Sequence, residues 1–328
     1  MILIVSKPGD LHAEAVMREI GLQGGASHLL DLSRFPAEAR LSVAYRDAGL
    51  QIDYAEIGEA VDLSAVRAVW WRRPQPFGFE DGLDCGINGR FAHNECREAI
   101  DGLWQLLDAY WVNDPLRDDR AHRKLLQLKI ATELGISIPR TLVTSDPARA
   151  KAFLAEGTNI YKPFSGLEEA WRETRLVGSE ERSSLDLVRH APVIFQRYVE
   201  GVDVRVTVVG DAVFAAEIDV RAADYPVDFR MSMAGARIDR CTLPEAVTRS
   251  IHALMRKLGL VYGALDFRRR PDGTYVFLEI NPAGQWLFVE DATGLPIARR
   301  LAAHLVAADR PAAFAALGST APDFVVPG

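Results

Sequence analysis

The sequence has few of the features that mark several large protein classes. Its 328 residues contain three cysteines, Cys85, Cys96 and Cys241, which form neither a CxxC metal site nor a disulfide framework. Basic side chains do not dominate, since 38 Lys and Arg stand against 45 Asp and Glu. No apolar run approaches the ~18 residues that a membrane-spanning helix requires. We therefore expect a cytoplasmic protein that binds neither nucleic acid nor a membrane.

Three common catalytic and nucleotide-binding motifs are also missing from the sequence. There is no G-x-x-x-x-G-K-[ST] phosphate loop and no G-x-S-x-G nucleophile elbow. The glycines at 21, 24 and 25 follow a helical pattern and do not spell G-x-G-x-x-G. The sequence thus argues against a P-loop enzyme, a Rossmann dinucleotide site and a serine hydrolase.

Strand patterns alternate with helical patterns along the chain, which predicts a mixed α/β fold. We predict a buried strand at 2–5, a hairpin centred on 47–49, and long helices at 91–110 and 118–134. The predicted division has four parts: an α/β domain at 1–113, an α+β subdomain at 114–194, a strand-rich subdomain at 195–310, and a loosely ordered tail at 311–328.

Two carboxylates and an amide lie on two strands that flank the turn at 271–273. If Asp272 and Gly273 form a two-residue turn, Asp266 lies directly opposite Glu279, and Asn281 shares their face. A four-residue loop gives the same register, whereas a three-residue loop needs a bulge to restore it. Opposed carboxylates repel each other, and this oxygen-rich set suits Mg²⁺. The alternative is an exposed hairpin face that merely carries charge.

A Mg²⁺ ion held by few protein ligands usually also binds phosphate, so cationic side chains are expected elsewhere. Lys124 lies in the first half of a predicted helix, and Lys162 ends a predicted strand. Arg205 lies within an apolar strand, and Arg230 is a weaker candidate by spacing alone. Ordinary interpretations remain open, as a helix-surface lysine for Lys124 and as a strand-end lysine for Lys162.

The order of these residues resembles the ATP-grasp superfamily: a helix lysine, a strand-end lysine, a linker strand QRYVEGVDVRV, then Asp and Glu-x-Asn. The resemblance covers about 111–296 and implies a pre-grasp α/β domain followed by two α+β subdomains that sandwich ATP. For ATP it implies that Lys124 and Lys162 contact the nucleotide, that the backbone of Gln196, Arg197, Tyr198 and Val199 contacts adenine, and that Asp203 contacts the ribose. For the reaction it implies that Arg205 and Arg230 face the transferred phosphate. The implied ligands of two Mg²⁺ ions are Asp266, Glu279 and Asn281.

Four further segments resemble the ATP-grasp enzymes of the graspetide or microviridin type, which close rings in ribosomally made peptides. They are WWRRP at 70–74, RKLLQLKIA at 123–131, GISIPRT at 135–141 and NPAGQW at 281–286. Two positions depart from that family: Arg197 replaces an expected acidic residue, and DFR at 228–230 stands where a Trp is more usual. Arg72 and Arg73 offer forked donors that suit an acidic substrate.

The resemblance implies an ADP-forming carboxylate ligase that activates Asp or Glu side chains of a precursor peptide and closes ω-ester or ω-amide rings. The implied partner is a precursor peptide with a leader segment, and a homodimer is left open. A ligase of free amino acids or small peptides is the alternative with the same chemistry. A nucleotide-binding module without catalysis is an alternative from another class, which the three metal-ligand candidates disfavour.

Overall fold

The computed structural model describes residues 1–47, 49–56, 59–83, 86–164, 174–220, 231 and 235–310. Within these residues the chain is a mixed α/β protein with four sheets, as the sequence predicts. It falls into two compact units. The first comprises Met1–Asp118, Leu260–Tyr262 and the described residues from Pro296 onward, and the second comprises Asp119–Gly259 and Gly263–Leu295. The finer division at residue 194 stays a prediction, and the predicted tail, 311–328, lies outside the described residues.

The first unit is built on a parallel sheet with the order β2-β1-β6-β7. Its central strand β1 is fully buried, as its continuous apolar sequence predicts. A separate antiparallel sheet contains the predicted hairpin, with Val43 opposite Ile52. The elements of this unit are β1 (Ile2–Val5), α1 (Leu11–Leu22), β2 (Ser27–Leu30), β3 (Arg40–Arg46), β4 (Gly49–Glu56), β5 (Glu59–Asp62), β6 (Ala68–Trp71), α2 (Gly86–Leu106), β7 (Tyr110–Val112) and α9 (Ile297–Asp309).

Helix α2 ends four residues earlier than the predicted helix at 91–110. The reason is that Tyr110 pairs with Ala68 and opens β7, the fourth strand of the parallel sheet. Pairing with a buried strand outweighs the helical pattern of these last residues. The predicted helix at 118–134 is likewise two helices, α3 (Pro115–His122) and α4 (Lys124–Glu133), separated at the extended Arg123.

The second unit contains two antiparallel sheets, with the strand orders β10-β9-β11-β8 and β14-β13-β12-β15-β16. Helix α7 buries Ile251, Leu254, Met255 and Leu258, an apolar stripe at helical spacing. The remaining elements are β8 (Thr141–Thr144), α5 (Pro147–Leu154), β9 (Asn159–Lys162), β10 (Arg175–Leu176), α6 (Ser179–Ser183), β11 (Val193–Arg197), β12 (Val202–Val209), β13 (Ala212–Asp219), β14 (Arg237–Arg240), α7 (Glu245–Leu258), β15 (Tyr262–Arg269), β16 (Tyr275–Asn281) and α8 (Leu287–Thr293).

Among the helices that the structure describes, none combines the length and the apolar character that crossing a bilayer demands.

Candidate active site

Asp266 and Glu279 lie directly opposite each other on β15 and β16, which confirms the predicted register. Ala264 lies opposite Asn281 in the same register, so both carboxylates and the Asn281 amide project from one face of the hairpin. The strands therefore bring together the three residues that the sequence nominates as metal ligands.

The turn between β15 and β16 is longer than a two-residue turn at Asp272 and Gly273. Arg269 lies opposite Tyr275, and Arg270 donates its backbone N–H to Thr274 O at 2.9 Å. Gly273 adopts φ 85°, which favours glycine at this position. The pairing near the turn is thus offset by one residue, and a bulge between Asp266 and Phe267 restores it. This is the bulged alternative that the sequence leaves open.

Two lysines from distant parts of the chain converge on Glu279. Lys124, the first residue of α4, places Nζ 2.5 Å from Glu279 Oε2. Lys162, the last residue of β9, places Nζ 3.9 Å from the same oxygen. All three side chains retain some exposure, at 24%, 11% and 24% for Lys124, Lys162 and Glu279. The lysines chosen by their order along the chain thus meet one carboxylate that is still open to solvent.

Arg205 pairs with the second carboxylate of the site. Its Nη1 lies 2.7 Å from Asp266 Oδ1, and its Nη2 donates to Gln285 O at 2.7 Å. The guanidinium carbon lies 5.9 Å from the centroid of the Phe288 ring. These contacts fix Arg205 beside Asp266. Arg230, the other arginine predicted to face the transferred phosphate, lies outside the described residues.

Gln127, on α4, fixes the strand that carries the candidate ligands, and the sequence analysis missed it. Its Oε1 accepts the Ile280 N–H at 3.0 Å, and its Nε2 donates to Ile280 O at 2.8 Å. Ile280 lies between Glu279 and Asn281, and Gln127 is buried. The sequence around Gln127 shows only a glutamine three residues after Lys124, and it does not indicate that its hydrogen-bond partner lies 153 residues away.

The predicted adenine-binding segment is the end of β11 and the residues after it. Gln196 lies on the same face of its sheet as Lys162, because it pairs with Ile160 while Ile194 pairs with Lys162. Arg197 lies on the opposite face, where Nη2 is 3.3 Å from Glu156 Oε2. Its side chain therefore points away from Gln196, and the backbone contact predicted at this position does not depend on it.

Asp203, the predicted ribose ligand, is held by Arg268, which the sequence analysis also missed. Arg268 Nε lies 2.8 Å from Asp203 Oδ1 and Nη2 lies 3.1 Å from Oδ2. Its Nη1 donates to the Tyr198 hydroxyl at 2.9 Å and to Val199 O at 3.1 Å. Burial alone would lower the pKa of Arg268, but Asp203 and Tyr198 outweigh it and the pKa is raised. Arg268 thus ties the linker after β11 to β12, and the ribose contact of Asp203 stays a prediction.

The two arginines predicted to meet the substrate differ in exposure. Arg72 is completely buried in the first unit, where its Nε lies 3.2 Å from Asp10 Oδ2. The neighbouring Arg73 is exposed. The geometry of Arg72 is that of an internal ion pair, so of these two residues Arg73 alone presents its side chain to solvent.

The donor set on β15 and β16 fits a magnesium site that is completed by phosphate. Within the described part of the chain there is no group of three or more His, Cys, Asp or Glu side chains that could hold a metal by itself. Asp266 and Glu279 supply two carboxylates, and exposed Asn281 supplies an amide oxygen that also accepts the Ala283 N–H at 2.9 Å. Hard oxygen donors in this small number suit Mg²⁺ that also coordinates phosphate oxygens.

Comparison with known proteins supports a ligase fold over nearly the whole chain. The family model for the MvdD pre-ATP-grasp domain matches residues 1–120. The solved macrocyclase MdnC from Microcystis aeruginosa MRC, bound to its precursor peptide MdnA, superposes with a TM-score of 0.81. It is 29% identical, and the match covers 93% of this chain and 99% of MdnC. The chain is an ATP-dependent ligase with the ATP-grasp fold, and it is similar to the graspetide-type macrocyclases. The sequence-based assignment of this ATP-dependent ligase is thereby confirmed.

Two further proteins that are similar to this chain are also ligases. The ATP-grasp ligase PsnB, solved with a phosphomimetic variant of its minimal precursor, Mg and ADP, is 25% identical with a TM-score of 0.76 over 94% of this chain and 98% of PsnB. A probable alpha-L-glutamate ligase of Serratia proteamaculans (strain 568) is 29% identical over 65% of this chain and 73% of its own length.

Proposed function

We propose that this ligase activates Asp or Glu side chains of a ribosomal precursor peptide with ATP and closes ω-ester or ω-amide rings. The observation that carries the chemistry is the convergence of Lys124, Lys162 and Arg205 on the opposed carboxylates Glu279 and Asp266. The similarity to a peptide macrocyclase over 93% of the chain supports the choice of substrate.

In this proposal ATP transfers its γ-phosphoryl group to a substrate carboxylate oxygen, which gives an acylphosphate and ADP. A hydroxyl or amine of the same peptide then attacks the acyl carbon, loses its proton, and phosphate leaves. Mg²⁺, when bound, neutralises phosphate charge and aligns the phosphate oxygens. Such a reaction requires positioning and charge stabilisation, and it requires no side-chain nucleophile.

The proposed roles of the residues follow from their positions. Asp266, Glu279 and Asn281 hold the metal, with two ions as the proposed number. Lys124 and Lys162 bind phosphate oxygens, and Arg205, together with Arg230, stabilises the transferred phosphoryl group. The backbone at 196–199 binds adenine and Asp203 binds the ribose. Arg73 is the exposed arginine that we assign to the acidic substrate.

Mass spectrometry of a candidate precursor tests this proposal. The ligase is incubated with ATP, Mg²⁺ and a candidate precursor peptide from an open reading frame adjacent to its gene, and the same mixture is prepared with the Glu279→Gln variant. Each ring removes the mass of one water from the peptide, and the variant leaves the mass unchanged. Deletion of the leader segment slows the reaction.

The alternative of a glutamate or small-peptide ligase predicts a different product. Free glutamate in the same mixture would then be added to an acceptor, which gains the mass of one glutamate residue per turnover. Efficient amino-acid ligation with no dehydration of any peptide would overturn the macrocyclase proposal. ADP release measured in parallel separates either ligase activity from an inactive preparation.

A further inference from the structure

Among the described residues that pair at the candidate metal site, positive side chains outnumber negative ones. Lys124, Lys162 and Arg205 contribute three positive charges, and Asp266 and Glu279 contribute two negative charges. Among these five described side chains, one positive charge is therefore in excess before any ligand binds. A bare divalent cation approaching this site meets cations within a few ångströms, whereas a polyphosphate is attracted to it.

The Lys124 ammonium contacts one of the two carboxylate oxygens through which Glu279 could hold a metal. At 2.5 Å it contacts Glu279 Oε2 directly, while Lys162 is 3.9 Å from the same oxygen. A carboxylate oxygen in so close a contact with an ammonium group is not available to a metal ion in the same direction. Lys124 is therefore the primary cation on this oxygen, and Lys162 is the more distant one.

The backbone beneath Lys124 is fixed relative to Glu279. Gln127, one helical turn further along α4, makes two hydrogen bonds to Ile280, the residue after Glu279. Because helix and strand are held together at this point, Lys124 can leave Glu279 by rotation of its flexible side chain alone. A ligand that offers phosphate oxygens beside Lys124 would provide the alternative partner.

We propose that Lys124 blocks Glu279 until a nucleotide polyphosphate draws its ammonium away, so that divalent metal enters only with or after the nucleotide. This inference rests on the proposed function, because it takes Glu279 as a metal ligand and ATP as the substrate. Lys124 thereby acts as a positioning residue that sets the order of binding, in addition to its proposed contact with phosphate.

Binding of Mn²⁺ without nucleotide, followed by electron paramagnetic resonance of the free ion, tests the proposal. The wild-type protein is expected to bind Mn²⁺ weakly, because Lys124 is paired with Glu279. In Lys124→Met the carboxylate loses its nearest cation, and Mn²⁺ should bind at least about tenfold more tightly. A merely structural role for Lys124 would not raise the affinity for a metal.

Three further variants control the experiment. Lys129→Met removes an exposed lysine of the same helix that pairs with Glu133, and Mn²⁺ binding should stay at the wild-type level. Adding Glu279→Gln to Lys124→Met should abolish the gain. Circular dichroism checks that each variant is folded, and if Lys124→Met is unfolded, Lys124→Gln replaces it with the same expectation.

Equal Mn²⁺ affinity of the wild type and Lys124→Met would overturn the inference, whether both bind tightly or neither binds. The proposed function is tested separately by calorimetry of the wild type with ADP and Mg²⁺. Absence of binding there would refute ATP use, whatever the Mn²⁺ result.

Discussion

Each of the two units contains a cluster of opposite charges, and the clusters differ in their exposure. In the first unit, the Arg72 and Asp10 side chains are 0% and 3% exposed. In the second unit, Lys124, Glu279 and Asp266 retain 24%, 24% and 20%. Removing one member of a sealed ion pair leaves a buried charge without its counter-charge. A pair open to solvent can exchange one partner for a ligand at much lower cost. The sealed cluster therefore stabilises the fold, and the open cluster is the one suited to binding.

The largest effect should come from breaking the sealed pair. Replacing Arg72→Met leaves the Asp10 carboxylate buried without its guanidinium, and the free energy of unfolding should fall by about 3–5 kcal/mol. Urea unfolding followed by tryptophan fluorescence measures it, because Trp70, Trp71, Trp104 and Trp111 belong to the first unit.

The matched control is the double variant Asp10→Asn with Arg72→Met. Asp10 is the N-cap residue of α1, where its side chain accepts the His12 N–H. The double variant removes both charges and asparagine can still accept this hydrogen bond, so more than half of the lost stability should return. A loss below about 1 kcal/mol in the single variant would show that the pair is as weak as an exposed one.

The second effect concerns the open cluster and should appear in activity. Glu279→Gln keeps the size of the side chain but removes a charge that faces the proposed metal and the triphosphate. ADP release with peptide and Mg²⁺ should fall at least about 100-fold, as is typical for loss of one electrostatic group at a transition state. Glu133→Gln, an exposed position on α4, serves as the control. Turnover near the wild-type rate at saturating Mg²⁺ would remove Glu279 from the metal site.

A smaller effect is expected for the more distant lysine of the open cluster. Lys162→Ala should weaken ATP binding about tenfold, because a charge-assisted hydrogen bond to phosphate is lost. The melting temperature should change little, since Lys162 ends its strand. Calorimetry with Lys129→Ala as the reference measures the difference. An unchanged dissociation constant would contradict the assignment of Lys162 to a phosphate.

The smallest effect is the pH dependence of the sealed pair. Burial alone would raise the pKa of Asp10, but Arg72, the Ser6 hydroxyl and the His12 backbone N–H outweigh it, so the pKa is lowered. Stability from such a carboxylate is fully present above its ordinary pKa and is lost as the pH falls through its lowered pKa. The difference in unfolding free energy between wild type and Asp10→Asn should be constant at pH 5–7 and shrink below about pH 4. A difference that grows on acidification would reverse this assignment.

The features that could be predicted from the sequence are those set by local rules. Side-chain alternation and the position of the turn place Asp266 opposite Glu279, although the turn is one residue longer than Asp272-Gly273 and the stated alternative, a bulge, restores the register. The mixed α/β class followed from the alternation of strand and helix patterns. Helix ends were less accurate where a strand pairing competes, as it does at Tyr110.

The features that could not be predicted depend on partners far away in the chain. Gln127 and Ile280 are separated by 153 residues, and Arg268 and Asp203 by 65. The pattern WWRRP shows that two arginines follow a strand, but it does not show that the first of them, Arg72, forms a buried ion pair with Asp10. The resemblance implies only that Lys124 contacts ATP, and its contact with Glu279 was not predicted, because spacing alone leaves a helix lysine on the surface.

The amide of Gln127 has a consequence for the outer edge of the sheet. Strand β16 is the last in its order, and an edge strand offers unpaired N–H and C=O groups to strands of other molecules. The Gln127 side chain forms hydrogen bonds with both the N–H and the C=O of Ile280, and Ser137 O accepts the Phe277 N–H at 2.8 Å. Helix and loop thereby take the place of a sixth strand. The Ile280 amide proton should exchange with solvent as slowly as protons inside the sheet, and this edge should resist pairing with strands of unfolded chains.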